Sequence, residues 1–176
     1  SLDNGPNDWV TALAVDGDKL HAGGFFTRIG DQVANHVATW QEGSWRSLGV
    51  GSANGTSSTV YALAASAGQL YVGGEFLSAG GQTVMRIARW DGQQWNALGS
   101  AGAEGVVGVV YALCMSGNEL YVGGSLRTAG AVPARRLALW NGVEWSAVGP
   151  VGGVNGVSAN WVRALAMTAN GLYVGG

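Results

Sequence analysis

The residues best equipped for chemistry in this 176-residue chain are few and scattered. There are two histidines, His21 and His36, and one cysteine, Cys114. No His-Cys or His-carboxylate cluster has the spacing of a metal site, so no metal and no cofactor are expected. No serine lies in a nucleophile-elbow sequence. Asp16-Gly17-Asp18 has the look of the start of a calcium loop, but no glutamate follows at the required offset, and a turn is the expectation. A single cysteine excludes an internal disulfide. Cys114 holds a position that is alanine at 14, 64 and 166, so it reads as a small packed side chain rather than a reactive thiol. His21 stands where tyrosine stands at 71, 121 and 173, and reads as a packed strand residue. Catalysis is not expected. Asn54-Gly55-Thr56 is an N-glycosylation sequon, of consequence only in a secreting eukaryote.

Charge excludes other classes. Nine basic residues against eleven acidic give a net charge of −2 with no basic stripe, which argues against nucleic acid. No apolar run approaches the roughly 20 residues that span a bilayer, so no membrane insertion is expected. Residues 1–8 are polar and carry no targeting pattern.

The order in the chain is a repeat. Leu20-His21-Ala22-Gly23-Gly24 recurs as Leu70-Tyr71-Val72-Gly73-Gly74, Leu120-Tyr121-Val122-Gly123-Gly124 and Leu172-Tyr173-Val174-Gly175-Gly176, at spacings of 50, 50 and 52. Each copy follows a strand-like segment such as Val60-Tyr61-Ala62-Leu63-Ala64-Ala65 and a short Gly/Asn turn. Period-2 alternation puts that segment's valine and small residues on one face and its leucine on the other. A third segment ends in Trp40, Trp90 or Trp140. A fourth begins around Trp45, Trp95 or Trp145, and Asp91-Gly92 and Asn141-Gly142 mark two of the hairpins between them. Six of the eight tryptophans are thus periodic, and packing between repeats is their expected role, with a glycan-stacking platform as the sharper alternative.

Short strands repeating about every 50 residues point to an all-β fold, a β-propeller of four-stranded antiparallel blades. The expected division is a lead-in loop at 1–9, blades at 10–59, 60–109 and 110–161, and a half repeat at 162–176. About three and a half blades cannot close a propeller of roughly four to eight. The expectation is a piece of a longer protein, or a ring built from several chains. Leu172, Tyr173 and Val174 would form the open assembly edge, available to other copies or to missing blades.

In a meander blade the 1–2 and 3–4 turns share one face, and the longer 2–3 and 4–1 connections share the other. Varied side chains on that long-loop face are the binding candidates: Phe26, Arg28, Asp31, Gln32, Phe76, Gln82 and Arg127.

The pattern L-Y-V-G-G-x-F followed by W-x-G-x-x-W-x-x-L-G resembles kelch repeats, closest to those of bacterial, often secreted proteins. It departs from them at Trp40-Gln41, Trp90-Asp91 and Trp140-Asn141, where the kelch motif has Tyr-Asp. The resemblance implies a propeller with a binding habit in a secreted or cell-surface bacterial setting, and an unknown glycan or protein as ligand. It also admits a copper radical oxidase, which would need a Cys–Tyr crosslink and two axial histidines. Cys114 sits at a repeat-core position instead. The remaining alternative is a structural element whose blades self-assemble.

Overall fold

The computed structural model describes residues 5–149 and 160–176. It contains three four-stranded antiparallel sheets, each a simple meander in which sequence neighbours pair. The first comprises Val10–Asp16, Lys19–Gly24, Val37–Gln41 and Ser44–Ser47. The second comprises Val60–Ser66, Gln69–Gly74, Ile87–Trp90 and Trp95–Ala97. The third comprises Val110–Ser116, Glu119–Gly124, Leu137–Trp140 and Trp145–Ala147. Ala164–Thr168 and Gly171–Gly175 form a two-stranded fourth sheet. The first strands of successive sheets lie side by side. They therefore form the inner ring of a partial β-propeller. No helix among the described residues is long and apolar enough to cross a membrane.

The seams between blades are held by one repeated contact. Gly23 lies against Val60 and Leu63 of the next sheet, and a Cβ there would sit 2.5 Å from Val60 Cγ1. Gly73 stands in the same relation to Val110 and Leu113, and Gly123 to Val162 and Leu165. Only glycine lets the inner strand approach this closely. The valine and the leucine thus both face the preceding blade, which corrects the alternation expected from sequence. The cause is an irregularity in register between Val60 and Ala62, repeated at Val110/Ala112 and Val10/Ala12. A bulge at this point adds one residue and reverses the parity of those before it.

Apolar residues of the seams make the core. Val37, Leu48, Val60, Leu63, Leu70, Val72 and Trp95 pack between the first and second sheets. Tyr71, Ile87, Leu98, Val110, Leu120, Val122 and Trp145 do so between the second and third. Each Trp pair is a cross-strand neighbour, with ring centroids 5.4 Å apart for Trp40–Trp45 and Trp90–Trp95 and 5.1 Å for Trp140–Trp145. Trp95 Nε1 donates to Leu48 O of the preceding blade at 3.0 Å, and Trp145 Nε1 to Leu98 O at 3.1 Å. Trp95 and Trp145 thus pack between blades, whereas Trp45 packs against the core of its own repeat.

The seam contact is incomplete at both ends of the array. Leu63 is 8% exposed, whereas its counterpart Leu13 is 62% exposed. Gly175, the fourth member of the glycine series, has nothing against it but Ala164 Cβ at 3.8 Å. The outer edge of Gly171–Gly175 has no strand beside it among the described residues.

Candidate functional site

The long connections are not free loops. Each 2–3 connection folds into a small hairpin: Arg28–Ile29 with Gln32–Val33, Ser78–Ala79 with Gln82–Thr83, and Thr128–Ala129 with Val132–Pro133. Each hairpin is bonded in turn to a 4–1 crossover. Gly30 N donates to Gly5 O, Gly80 N to Gly55 O and Gly130 N to Gly105 O, at 3.0, 2.9 and 2.8 Å. Side chains reinforce the ladder, with Asn7 Oδ1 accepting from the backbone of Thr27 and Arg28, and Ser57 Oγ from Leu77 and Ser78. The chain re-enters the sheet through His36, Arg86 and Arg136, all in the left-handed region with φ of 66°, 69° and 71°. Three such non-glycine conformations at equivalent points are costly individually and fixed by the bonds around them.

This architecture separates the candidate residues. Phe26 and Phe76 are completely buried beneath their hairpins, as is Leu126. That corrects their assignment to a ligand-facing surface: a connection bonded at both ends folds its aromatic residue inward. Arg28, Asp31, Gln32, Gln82 and Arg127 are exposed as expected. Asp31 and Gln32 share a shallow depression of about 120 Å³ with Trp40 and Trp45. Arg28, Gln82 and Arg127 stand on three successive units. The asparagine of the sequon is only 8% exposed, and Asn54 Nδ2 donates to Val33 O at 2.6 Å, so its amide is occupied within the fold. Asp16 Oδ2 accepts from Gly68 N of the next blade at 2.7 Å, a turn-to-turn tie across the seam.

What sequence reasoning missed is a row of aromatic side chains at the long-loop end of the inner strands. Trp9 meets Phe25 at 6.1 Å, Phe25 meets Tyr61 at 6.0 Å, and Tyr61 meets Tyr111 at 5.5 Å between ring centroids. Arg163 then lies 5.5 Å over Tyr111 and 5.1 Å over Trp161. Tyr61 and Tyr111 are the residues that the register irregularity sets between the paired Val and Ala of their strands. A bulge re-aims such a residue away from the sheet face. Trp9, Phe25 and Trp161 are exposed to 75%, 37% and 47%. The row therefore crosses all three seams as one open strip of rings. Burial and the neighbouring Glu75 carboxylate push the Tyr61 hydroxyl above its ordinary pKa, which keeps it a neutral donor. The signal available in sequence was the variation Thr11, Tyr61, Tyr111, Arg163 at one repeat position.

His21 is buried as expected, 5% exposed, with Nδ1 2.8 Å from Thr39 Oγ1. Cys114 is half-buried on its inner strand. Among the described residues no group of three or more His, Cys, Asp or Glu side chains could hold a metal ion.

No protein-family model matches the chain, and no curated protein does. Among solved structures it is similar to the computationally designed Ika4 protein, with 17% identity over 97% of this chain and 87% of that one, at a TM-score of 0.56. The likeness shows the fold alone. With a TM-score of 0.45 and 11% identity, 94% of the chain also aligns to the extracellular domain described for a hybrid two component system of B. thetaiotaomicron, of which it spans 26%.

Proposed function

We propose that the chain is a non-catalytic binding module that takes a glycan or an extended peptide on its long-loop face, along the aromatic strip. The observation that carries this reading is the continuity of Trp9, Phe25, Tyr61, Tyr111 and Trp161 across every seam. Exposed contiguous aromatic surface is costly unless something covers it. Rings held by a rigid scaffold present flat apolar faces with polar tips, which suits sugar rings and proline-rich segments alike. Residence outside the cell is the setting that the repeat resemblance implies. The test is a glycan and peptide array probed with the chain and with Tyr61→Ala/Tyr111→Ala. Binding that disappears in the double variant while the fold persists supports the strip, and unchanged binding removes it.

A second reading, assembly with other copies or further blades, is favoured by one specific observation. The two open ends carry the two halves of the seam: Val10 and Leu13 are exposed at one, and the empty hollow at Gly175 lies at the other. Light scattering over a concentration series tests it. A mass that grows with concentration in the chain but not in Gly175→Val supports end-to-end pairing, and a constant monomer mass refutes it.

A further inference from the structure

Away from the aromatic strip, the seam between the first and second sheets is built differently from the next one. One cross-strand row of each sheet faces the following blade. In the second sheet this row is Ala64, Tyr71, Arg89 and Asn96, paired in register. Tyr71 is 6% exposed, and its hydroxyl and Arg89 Nη1 both reach Gln69 Oε1, at 3.2 and 3.5 Å. A ring and a guanidinium thus occupy that seam. In the first sheet the same row is Ala14, His21, Thr39 and Arg46. At the two central positions large side chains are replaced by smaller polar ones, and His21 and Thr39 draw together through their hydrogen bond, while Arg46 stands in place of the smaller Asn96 and turns to Glu42. What remains is a cleft of about 240 Å³ lined by Lys19, His21, Thr39, Gln41, Arg46 and Trp90, among others.

The chemistry of this lining is specific. Trp90 from the second sheet supplies an aromatic wall against which the C–H face of a sugar can lie. Thr39, Gln41 and the second ring nitrogen of His21 are donors and acceptors suited to hydroxyl groups. Lys19 stands where the second sheet has the neutral Gln69. Arg46 is paired with Glu42 at 2.8 Å on the exposed rim, and the Asp16 carboxylate is engaged by Gly68 N. Lys19 makes no ion pair among the described residues, although Asp16 is its cross-strand neighbour, and it places a cation at the mouth of a polar cleft. Burial keeps the His21 imidazole below its ordinary pKa, so it presents a neutral ring at pH 7. The volume admits one small ring, not a chain.

We propose that the cleft between the first two sheets is a binding site for a single carboxylate-bearing sugar unit. In this site Trp90 faces the ring, Thr39, Gln41 and His21 meet its hydroxyls, and Lys19 meets the carboxylate. The proposal is independent of the aromatic strip, which lies at the opposite end of the inner strands.

The test is calorimetric titration of the 176-residue chain with D-glucuronate, and with D-glucose as the neutral counterpart. Saturable glucuronate binding is expected, about tenfold tighter than glucose, a difference of about 1.4 kcal/mol. Lys19→Gln, which installs the residue of the second sheet, should erase that preference. His21→Tyr/Thr39→Leu installs the pair that the third sheet carries as Tyr121 and Leu139, fills the cleft without a like charge opposite Arg46, and should abolish binding at unchanged melting temperature. If that double variant unfolds, Lys19→Gln alone decides. The proposal is overturned by absence of saturation up to about 10 mM glucuronate, by equal affinity for the two sugars, or by retained binding in a folded double variant.

Discussion

Leu13 and Leu63 hold the same place in successive repeats, follow similar segments and pair with equivalent strands, yet one is open to solvent and the other buried. The difference is not in the residues or their strands. Leu63 has Gly23 of the preceding sheet against it, and Leu13 has no preceding sheet among the described residues. In a blade array each side chain's environment is completed by the neighbour, so stability is a sum of sheet terms and seam terms. The same substitution should therefore have different consequences at equivalent positions. The largest contrast is expected for leucine itself. Leu63→Ala removes a buried side chain and should cost about 2–5 kcal/mol. Leu13→Ala should change stability by less than about 0.5 kcal/mol. Urea denaturation of both variants measures the pair. A large loss at Leu13 would break the comparison and mean that this face is covered in solution.

The glycine half of the seam gives the next contrast. Gly123→Val would drive a side chain into Val162 and Leu165, and overpacking of this kind costs about 1–3 kcal/mol. Gly175→Val meets open space and should leave the stability of the isolated chain unchanged. Below these lies the tryptophan contrast. Trp95→Phe removes the indole bond to Leu48 O, which still accepts from Gly55 N, and should cost about 0.5–1.5 kcal/mol. Trp45, half-buried and without a described hydrogen bond, should tolerate the same change at smaller cost. Thermal melts of the four variants rank these terms, and an inverted order within either pair removes the seam as the cause.

The comparison also explains what sequence could reveal. Strands, turns and blade spacing were legible because alternation, Gly/Asn turns and the Leu-Tyr-Val-Gly-Gly register are local signals repeated about every 50 residues. Three features were not. The valine of the first strand faces with the leucine because a bulge changes parity, and a bulge leaves no mark in side-chain type. Phe26 and Phe76 are buried because the connections are tied by backbone bonds such as Gly80 N to Gly55 O, and although both glycines hold positive φ, their pairing exists only once the hairpin and crossover have folded together. The aromatic row joins side chains as distant in sequence as Trp9 and Trp161, and only stacking of four sheets brings them together. The predicted residues Arg28, Asp31, Gln32, Gln82 and Arg127 proved exposed, yet none of them belongs to the aromatic row.

The smallest contrasts are in pH dependence: the sign is the same in the first two repeats, and the pH window separates them. Burial holds His21 and His36 below the ordinary histidine range, so the unfolded chain takes up protons first. Stability is full above about pH 6.5 and declines as pH falls below it. His21→Tyr removes one of the two imidazoles and should flatten this limb. Asp91 acts lower on the scale. The N–H groups of Gln94 and Gln93 donate to its Oδ1 at 2.8 and 2.9 Å, and Asn96 Nδ2 donates to Oδ2 at 2.8 Å, which favours the carboxylate and lowers its pKa. Its contribution is present above about pH 4 and is lost as pH falls through the folded value. Asn141 makes the same turn in the third sheet, accepting from Val143 and Glu144, without a charge. Asp91→Asn should therefore keep the turn but lose the charge's contribution, so that its melting temperature lies slightly below the parent's near pH 7 and the difference closes below pH 4. Melting curves at the two pH values measure it. An unchanged acid limb would show that the turn is held by its geometry alone and that charge adds nothing to it.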